Sequence, residues 1–352
     1  MQSEALPGAR GILAALGAAV LFGTGTPLAK QLLRALDPWL LAGLLYLGSG
    51  LGLGLYRILA RRPAVRLAPA DAAWLAGAIA AGGVAGPVLL MFGLAAMPAS
   101  GASLLLNAEG VFTALLAWIA FGENVDRRIA LGMFAIVGGA LVLSSQGEAR
   151  FGGAAPMLLI LGACLAWAID NNLTRKVSLA DATWIACVKG LVAGAVNLAL
   201  ALALGASLPG PPQALAAMGL GLFAYGISLA LFVVGLRELG TARTGAYFGV
   251  APFFGAILAV ALGDPLTPSL VIASLLMALG VWMHLGERHA HEHAHEAITH
   301  DHLHWHDVHH QHTHDFPWDG REPHRHPHTH EALHHTHAHV PDMHHRHRHR
   351  HS

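Results

Sequence analysis

Ten continuous apolar runs, separated by short polar or turn-forming breaks, fill residues 11–285 of this 352-residue chain. They fall at 11–30, 38–59, 73–95, 102–121, 128–145, 156–174, 182–204, 214–236, 242–262 and 268–285. A hydrocarbon layer about 30 Å thick is crossed by about 20 apolar helical residues, so each run predicts one membrane-spanning helix. The runs do not alternate polar with apolar positions, which argues for helices and against a membrane barrel. Arg61-Arg62-Pro63 and Pro209-Gly210-Pro211-Pro212 are typical breaks. Composition agrees: charged residues make up 12%, against about 25% in soluble domains, and the 41 glycines suit close helix packing in lipid. An ordinary soluble domain is excluded.

The runs stop at residue 285, and the chain changes character there. All 26 histidines lie between His284 and His351. Cys164 and Cys187 fall inside apolar runs, so they read as buried small side chains and not as a disulfide framework. The first run is of spanning length and is followed by Lys30 without a small-residue cleavage site, so a cleaved leader is not expected.

Lysine and arginine at the flanks set the orientation. With a cytoplasmic N-terminus, the inner flanks hold eleven (Arg10, Arg57, Arg61, Arg62, Arg66, Arg127, Arg128, Arg175, Lys176, Arg237, Arg243) and the outer loops three (Lys30, Arg34, Arg150). An even helix count returns the C-terminus to the same side. The expectation is a bacterial-type inner (plasma) membrane protein with both termini cytoplasmic.

The body repeats itself. Leu16-Gly17-Ala18 through Phe22 to Leu28 aligns without gaps on Leu161-Gly162-Ala163 through Trp167 to Leu173, and Phe112–Glu123 aligns on Phe253–Asp264. Five helices per copy is an odd number, so the second copy lies inverted. Inverted repeats place a binding site near the bilayer midplane between the copies. The expected units are 1–147, 148–285 and a tail at 286–352.

Within this duplicated frame, Asn107-Ala108-Glu109-Gly110-Val111-Phe112 through Trp118 to Gly122-Glu123 resembles the fourth helix of an EamA repeat. Ala242-Arg243-Thr244-Gly245-Ala246-Tyr247 through Pro252-Phe253-Phe254 to Gly263-Asp264-Pro265 resembles its counterpart. Residues 8–285 thus resemble the drug/metabolite transporter superfamily, departing from it where Gly110 replaces the proline that many relatives carry after the glutamate. The resemblance implies an all-α polytopic fold of about ten helices in two inverted five-helix EamA repeats, and secondary transport of a small solute by alternating access. It implies no enzyme activity.

Charged groups within membrane helices are costly and are candidates for function. They are Glu109, Asp170 and Lys189, joined by Asn107, Asn171, Asn172 and Tyr247 as candidate substrate-binding residues. A midplane carboxylate can take up a proton or bind a cation, whereas Asp170 and Lys189 can also simply pair to fix helix packing. Glu123 and Asp264 read as helix-end contacts, and Pro27 and Pro252 as kinks. Tyr225 and Ser228 are further polar groups in the expected cavity region.

The tail carries His-x-His runs, with His291, His293, His295, His302, His304, His306, His309, His310, His312, His314, His328, His330, His334, His335, His337 and His339 as candidate metal ligands. Histidines two apart in an extended chain project the same way, and imidazole without thiolate suits zinc, nickel, cobalt or copper. Too few apolar residues are present for a packed core, so a disordered tail is expected. His-Glu-x-x-His matches at His291 and His330 lack the helix and cleft that a metalloprotease needs. A pH sensor is the rival reading of the tail.

Three functions remain open at this point. The first is a secondary transporter with a metal-binding tail, its cargo extending to divalent nickel, cobalt or zinc. The second is a metabolite or amino-acid exporter regulated by metal or pH through the tail. The third is a non-transporting membrane metal sensor. No required cofactor and no nucleic-acid partner are expected; the partners are the lipid bilayer, the solute or metal ion, and, as an open option, a second copy in a homodimer.

Overall fold

The computed structural model describes residues 9–65, 67, 69–121, 127–144, 154–177, 180–285, 290–295, 298–304, 324–330 and 333–338. The first half of the body comprises α1 (Ala9–Leu32), α2 (Pro38–Leu59), α3 (Pro69–Ala78), a π-helical segment (Ile79–Ala85), α4 (Gly86–Ala96), α5 (Ala99–Leu105), α6 (Ala108–Phe121) and α7 (Arg127–Ser144). The second half comprises α8 (Ala154–Val177), α9 (Ala182–Ala203), α10 (Pro211–Gly221), a second π-helical segment (Leu222–Ile227), α11 (Ser228–Phe248), α12 (Ala251–Ala261) and α13 (Pro268–Leu285). Among the described residues, seven helical stretches are long and apolar enough to cross a membrane, and three shorter apolar helices join them. Together they account for the ten runs.

Local chemistry sets the helix ends. Asp37 caps α2, accepting from the Trp39 and Leu40 amides at 2.9 and 3.1 Å, with Pro38 in the first turn. At its other end Arg61 takes φ 47°, while the Arg62 amide donates to Arg57 O (2.9 Å) and the Arg61 amide to Ile58 O (3.1 Å). That is a Schellman closure with arginine where glycine is favoured.

Two spans differ from the sequence expectation. The fourth run is interrupted at Leu106-Asn107, between α5 and α6. The ninth is not one helix from 242: α11 begins at Ser228 and continues to Phe248, and the break comes at Gly249-Val250. Pro252 therefore sits in the first turn of α12, where its missing N–H costs nothing, and kinks no helix. Pro27 does lie inside α1. Hydropathy is blind to such two-residue breaks, because the residues around them stay apolar.

The inverted duplication is visible in the packing. On α2 and α9, the same helix of each copy, a side chain at Gly50 would meet the Leu191 amide, and one at Gly194 the Leu47 amide. On α7 and α13, Gly139 faces Met277 and the Ala273 carbonyl, while Gly280 faces Ile136 and the Gly132 carbonyl. Each contact reappears when the two copies are exchanged. Paired numbers rise on one helix as they fall on the other, so equivalent helices run antiparallel, as inversion requires. Glycine allows these backbones to approach within van der Waals range, the main attraction available between helices in lipid. Large side chains such as Ile119, Phe134, Ile257 and Leu275 point outward and exposed, as a lipid-facing surface demands.

The tail is a separate unit, Arg288–Ser352. Its described residues form β1 (Ala290–His295), β2 (Ile298–His304), β3 (His324–His330) and β4 (Leu333–Ala338). β1 pairs with β4 and β2 with β3, both antiparallel.

Candidate functional site

The densest buried polar group lies where α8 of the second repeat meets α6, α9 and the first π segment. Lys189 on α9 donates to Asp170 Oδ1 and Oδ2 on α8 at 2.5 and 2.7 Å and reaches Thr174 Oγ1 at 3.2 Å. The Thr174 hydroxyl donates to Asp170 Oδ1 at 2.7 Å. Lys189 is 1% and Asp170 6% exposed, so both charges are desolvated, and the ammonium's three donors all find oxygen. Of the two sequence readings of these residues, pairing is the one the geometry displays.

The π segment opposite explains how the chain fits here. A Cβ on Gly82 would overlap the Asp170 carboxylate. Wider π turns put carbonyls out of step with the helical ladder. Gly82 O accepts from Tyr46 Oη (2.8 Å) and Trp167 Nε1 (2.9 Å), and Gly83 O accepts from Asn197 Nδ2 (3.2 Å). Tyr46, Trp167, Thr174 and Asn197 had not been singled out in the sequence; the one available signal was Gly82-Gly83 in mid-span.

Glu109 stands in the first turn of α6, just past the break, and accepts from Asn171 Nδ2 at 2.7 Å. This bond joins the two repeats. The only basic side chain described in this polar group, Lys189, is committed to Asp170. Asn172 turns to another face of α8, its amide donating to Ala168 O at 2.9 Å and Thr113 O at 3.4 Å. Asn107 faces α13 instead, donating to Leu104 O at 3.0 Å and approaching Met277 Sδ at 3.7 Å. The side-chain oxygens of Asn107, Asn172 and Thr113 are buried without partners. Tyr247 lies half-buried near the second break, and no hydrogen bond joins it to Glu109 or Asp170 among the described residues.

Aromatic rings flank the polar group. Phe22 packs edge-on against Trp167 (5.5 Å) and Tyr225 (5.8 Å) and meets Phe248 at 5.3 Å, while Tyr225 meets Tyr46 at 5.3 Å. Ser228 is spent on Ala18 O at 2.9 Å.

Contacts fasten both ends of the bundle; those of Asp264, Arg57 and Arg10 run between repeats, and those of Lys30 within one. At one end Lys30 Nζ holds the last carbonyls of α4, Leu94 and Ala95, at 2.7 and 3.0 Å, and Asp264 accepts from the Ser100 amide of α5 at 2.8 Å. The helix-end role read for Asp264 is what it performs; Glu123 lies outside the described residues. At the other end Arg57 donates to Asp181 at 2.6 Å and to Thr183 at 2.8 Å, and Arg10 pairs with Glu238 at 3.3 Å. Partial burial works to raise the Asp181 carboxyl, but the Thr183 hydroxyl, the Trp184 amide and Arg57 outweigh it and hold it below the usual range.

Among residues whose side chains are described, no three His, Cys, Asp or Glu gather as a metal site. Of the tail histidines, His291, His293, His295, His302, His304, His328, His330, His334, His335 and His337 stand in strands. His306, His309, His310, His312, His314 and His339 lie outside the described residues.

Both halves of the body, residues 9–145 and 154–286, match the EamA-like transporter family. The chain belongs to that family. It is accordingly a multi-pass membrane transporter of the drug/metabolite superfamily. This EamA chain is 29% identical over 292 residues to an uncharacterized transporter of Methanothermobacter thermautotrophicus, covering 78% of this chain and 85% of the relative. It is 26% identical over 200 residues to the uncharacterized transporter YyaM of Bacillus subtilis, covering 52% and 63%. A crystal structure sharing 20% identity superposes with a TM-score of 0.60, over 78% of this chain and 95% of that one, and shows the same fold.

Proposed function

We propose that this EamA transporter moves a small organic solute by alternating access, with Glu109 carrying a coupling proton and the histidine tail binding transition-metal ions on the cytoplasmic side. One observation carries the reading. Glu109 is an acid at the junction of the repeats whose partner is an amide, beside an Asp170 already neutralised by Lys189. An unpaired carboxylate in the membrane interior exchanges a proton without leaving a stranded partner, whereas Asp170 cannot do so without stranding Lys189. A rocking motion of the repeats would move Glu109 between the two aqueous sides.

The rings of Phe22, Trp167, Tyr225 and Tyr46 favour an organic cargo with an apolar face over a bare metal ion. A divalent cation would also meet the Lys189 ammonium. Metal is therefore assigned to the tail, as ligand and regulator, with zinc, nickel, cobalt and copper as candidates. The charge asymmetry of the flanks supports an inner-membrane setting with both termini cytoplasmic. Transport, with no bond made or broken in the cargo, is the whole activity proposed.

The test is flux in proteoliposomes loaded with amino acids, amines or aromatic metabolites, with and without a pH gradient. Gradient-driven accumulation is expected in the wild type. Glu109→Gln should lose accumulation while keeping solute exchange at zero gradient. Wild-type flux indifferent to the gradient, or an E109Q protein that still accumulates, overturns the proton assignment. Removing residues 287–352 should abolish any metal response and leave flux in place.

A further inference from the structure

We infer that the two π segments are hinges and that α3 and α10, the half-helices before them, are the gates of the transporter: α10 is shut in this structure, α3 is open, and the other access state exchanges them. This rests on the reading of alternating access and adds the parts that move.

The two copies agree on one side of each π segment and disagree on the other. After the first segment, α4 lies on α8, with Gly93 against Ile160 and Leu89 against Gly162. After the second, α11 lies on α1 in the same way, with Leu231 against Gly17, the counterpart of Gly162, and Ser228 bonded to Ala18 O. Within the segments the copies still match. A side chain on Gly83 would meet Ala193 and one on Gly226 would meet Ser49, contacts that map onto each other when the repeats are exchanged.

Before the segments the match ends. α10 lies along α2, where Gly48 faces the Met218 backbone, Gly221 the Leu45 carbonyl and Gly52 the Leu222 side chain. Exchange would put α3 on α9, yet among the described residues α3 forms no such seam. In the register set by Gly50 and Gly194, the counterparts of Gly48 and Gly52 are Val192 and Val196, and these are 44% and 40% exposed. α3 leans on α8 instead, with Gly77 against Leu173, whereas Leu28, the counterpart of Leu173, is 40% exposed. A change of neighbour that begins at a π turn locates the bend there, because such a turn interrupts the helical ladder.

The two broken helices repeat the asymmetry. α5 packs on α12, Ser103 against Gly255, and residues 99–108 are buried throughout. By the alignment of Phe112 on Phe253, buried Leu104 and Ala251 correspond to Gly245 and Gly110, which are exposed and meet nothing within 4 Å. Both seams shut the end that carries Ser100 and Asp264. The chain also weights the exchange. Gly48, Gly52, Gly221 and Gly255 allow close approach at the shut end, and their counterparts Val192, Val196, Ala78 and Ala114 hold the exchanged seam wider. The state with α10 shut is therefore the resting one.

Two cysteine pairs read the gates in the full chain in membranes. Gly77→Cys with Leu173→Cys are in contact here and should cross-link readily under mild oxidation. Leu75→Cys with Val192→Cys, the counterparts of Met218 and Gly48, should cross-link only as α3 shuts on α9, and so more slowly. Cys164 and Cys187 are buried, and single-cysteine variants are the controls. Adding Gly221→Ala, which obstructs the approach to Leu45 O, should speed the second pair at least about fivefold, the population change that corresponds to about 1 kcal/mol. Ala78→Gly, which lets α3 approach α9 more closely, should do the same even where Gly221→Ala fails to fold. A Ser100→Cys reporter couples the two ends. A water-soluble maleimide, read at residue 100, should label it at least about fivefold more slowly once the Gly77/Leu173 pair is cross-linked than before. Equal labelling, or a second pair that forms in neither variant, overturns the hinges while leaving alternating access by another motion. A Ser100→Cys thiol that no variant exposes to label overturns both readings.

Discussion

Replacing Lys189 with methionine would leave the Asp170 carboxylate buried against Gly82 with one hydroxyl donor, Thr174, in place of an ammonium. Charge centres about 3.5 Å apart attract by about 5 kcal/mol at an effective dielectric near 20. Desolvation of the two groups opposes that gain, so the intact pair contributes little net stability; stranding one partner costs about 3–5 kcal/mol. At about 2–4 °C per kcal/mol for a protein of comparable size, Lys189→Met is expected to lower the melting temperature in detergent by about 6–20 °C. Asp170→Asn should fall in the same range, because it strands the ammonium. The double variant removes both charges and should recover most of the loss, giving a coupling of about 3 kcal/mol in a double-mutant cycle. The readout is thermal unfolding followed by tryptophan fluorescence, with oligomeric state checked before heating. Two singles each costing under about 1 kcal/mol, with the double at their sum, would refute the claim that the pair acts as a unit.

Three further outcomes are expected. Gly190→Ala places a methyl against the Gly50 backbone and should cost about 1–3 kcal/mol, whereas Gly138→Ala on α7 meets nothing within 4 Å and should gain up to about 1 kcal/mol from helix propensity; matched thermal melts compare them. Arg61→Gly relieves the left-handed φ of 47° at the end of α2 and should raise stability by about 1 kcal/mol in the same assay. Asp181 has a depressed folded pKa, so its charge stabilises the fold above the unfolded carboxylate value of about 3.9 and that stability is lost as pH falls through the folded value. The advantage of wild type over Asp181→Asn, about 1 kcal/mol for a partly exposed pair, should hold from about pH 8 down to the unfolded value of about 3.9 and fall away only as pH drops further, through the depressed folded value; an advantage that grows on acidification would contradict the assignment.

The number of spans was legible in the sequence because membrane thickness is a one-dimensional constraint, readable as run length. The inverted duplication was legible too, since Phe22 and Trp167 stand at matching positions in an ungapped alignment and both end up in one aromatic group. What stayed hidden was whatever leaves hydropathy unchanged. The break at Leu106-Asn107 sits inside an unbroken apolar stretch, and a π turn differs from an α turn by one residue of hydrogen-bond register, not by composition. Partners far apart in the chain were equally illegible. The bond from Asn171 to Glu109 spans 62 positions, and the Tyr46 and Trp167 bonds to Gly82 O became visible only with the fold.

Symmetry and its violation together say where a transport cycle must do its work. The glycine contacts of α2 with α9 and of α7 with α13 map onto themselves when the repeats are exchanged. Those seams can therefore serve both access states of the proposed cycle with the same contacts. The charges do not map this way. Asp170 and Lys189 correspond through the repeat alignment to Gly25 and Leu45 in the first copy, so the buried pair belongs to one half alone and travels with it. The fastenings at the two ends fall between these extremes. Lys30 and Asp264 correspond in sequence to Arg175 and Glu123, by the same alignments that define the repeat. Rocking that opens the Lys30–Asp264 end would free the Ser100 amide from Asp264, whereas Lys30 and the α4 carbonyls belong to the same repeat and stay together. On this argument Asp264→Ala, which removes the acceptor of the Ser100 amide, should bias the transporter open at its own end. Cysteines placed near residue 97 would then label faster in Asp264→Ala than in wild type, and unchanged labelling would show that the Asp264 contact holds nothing shut.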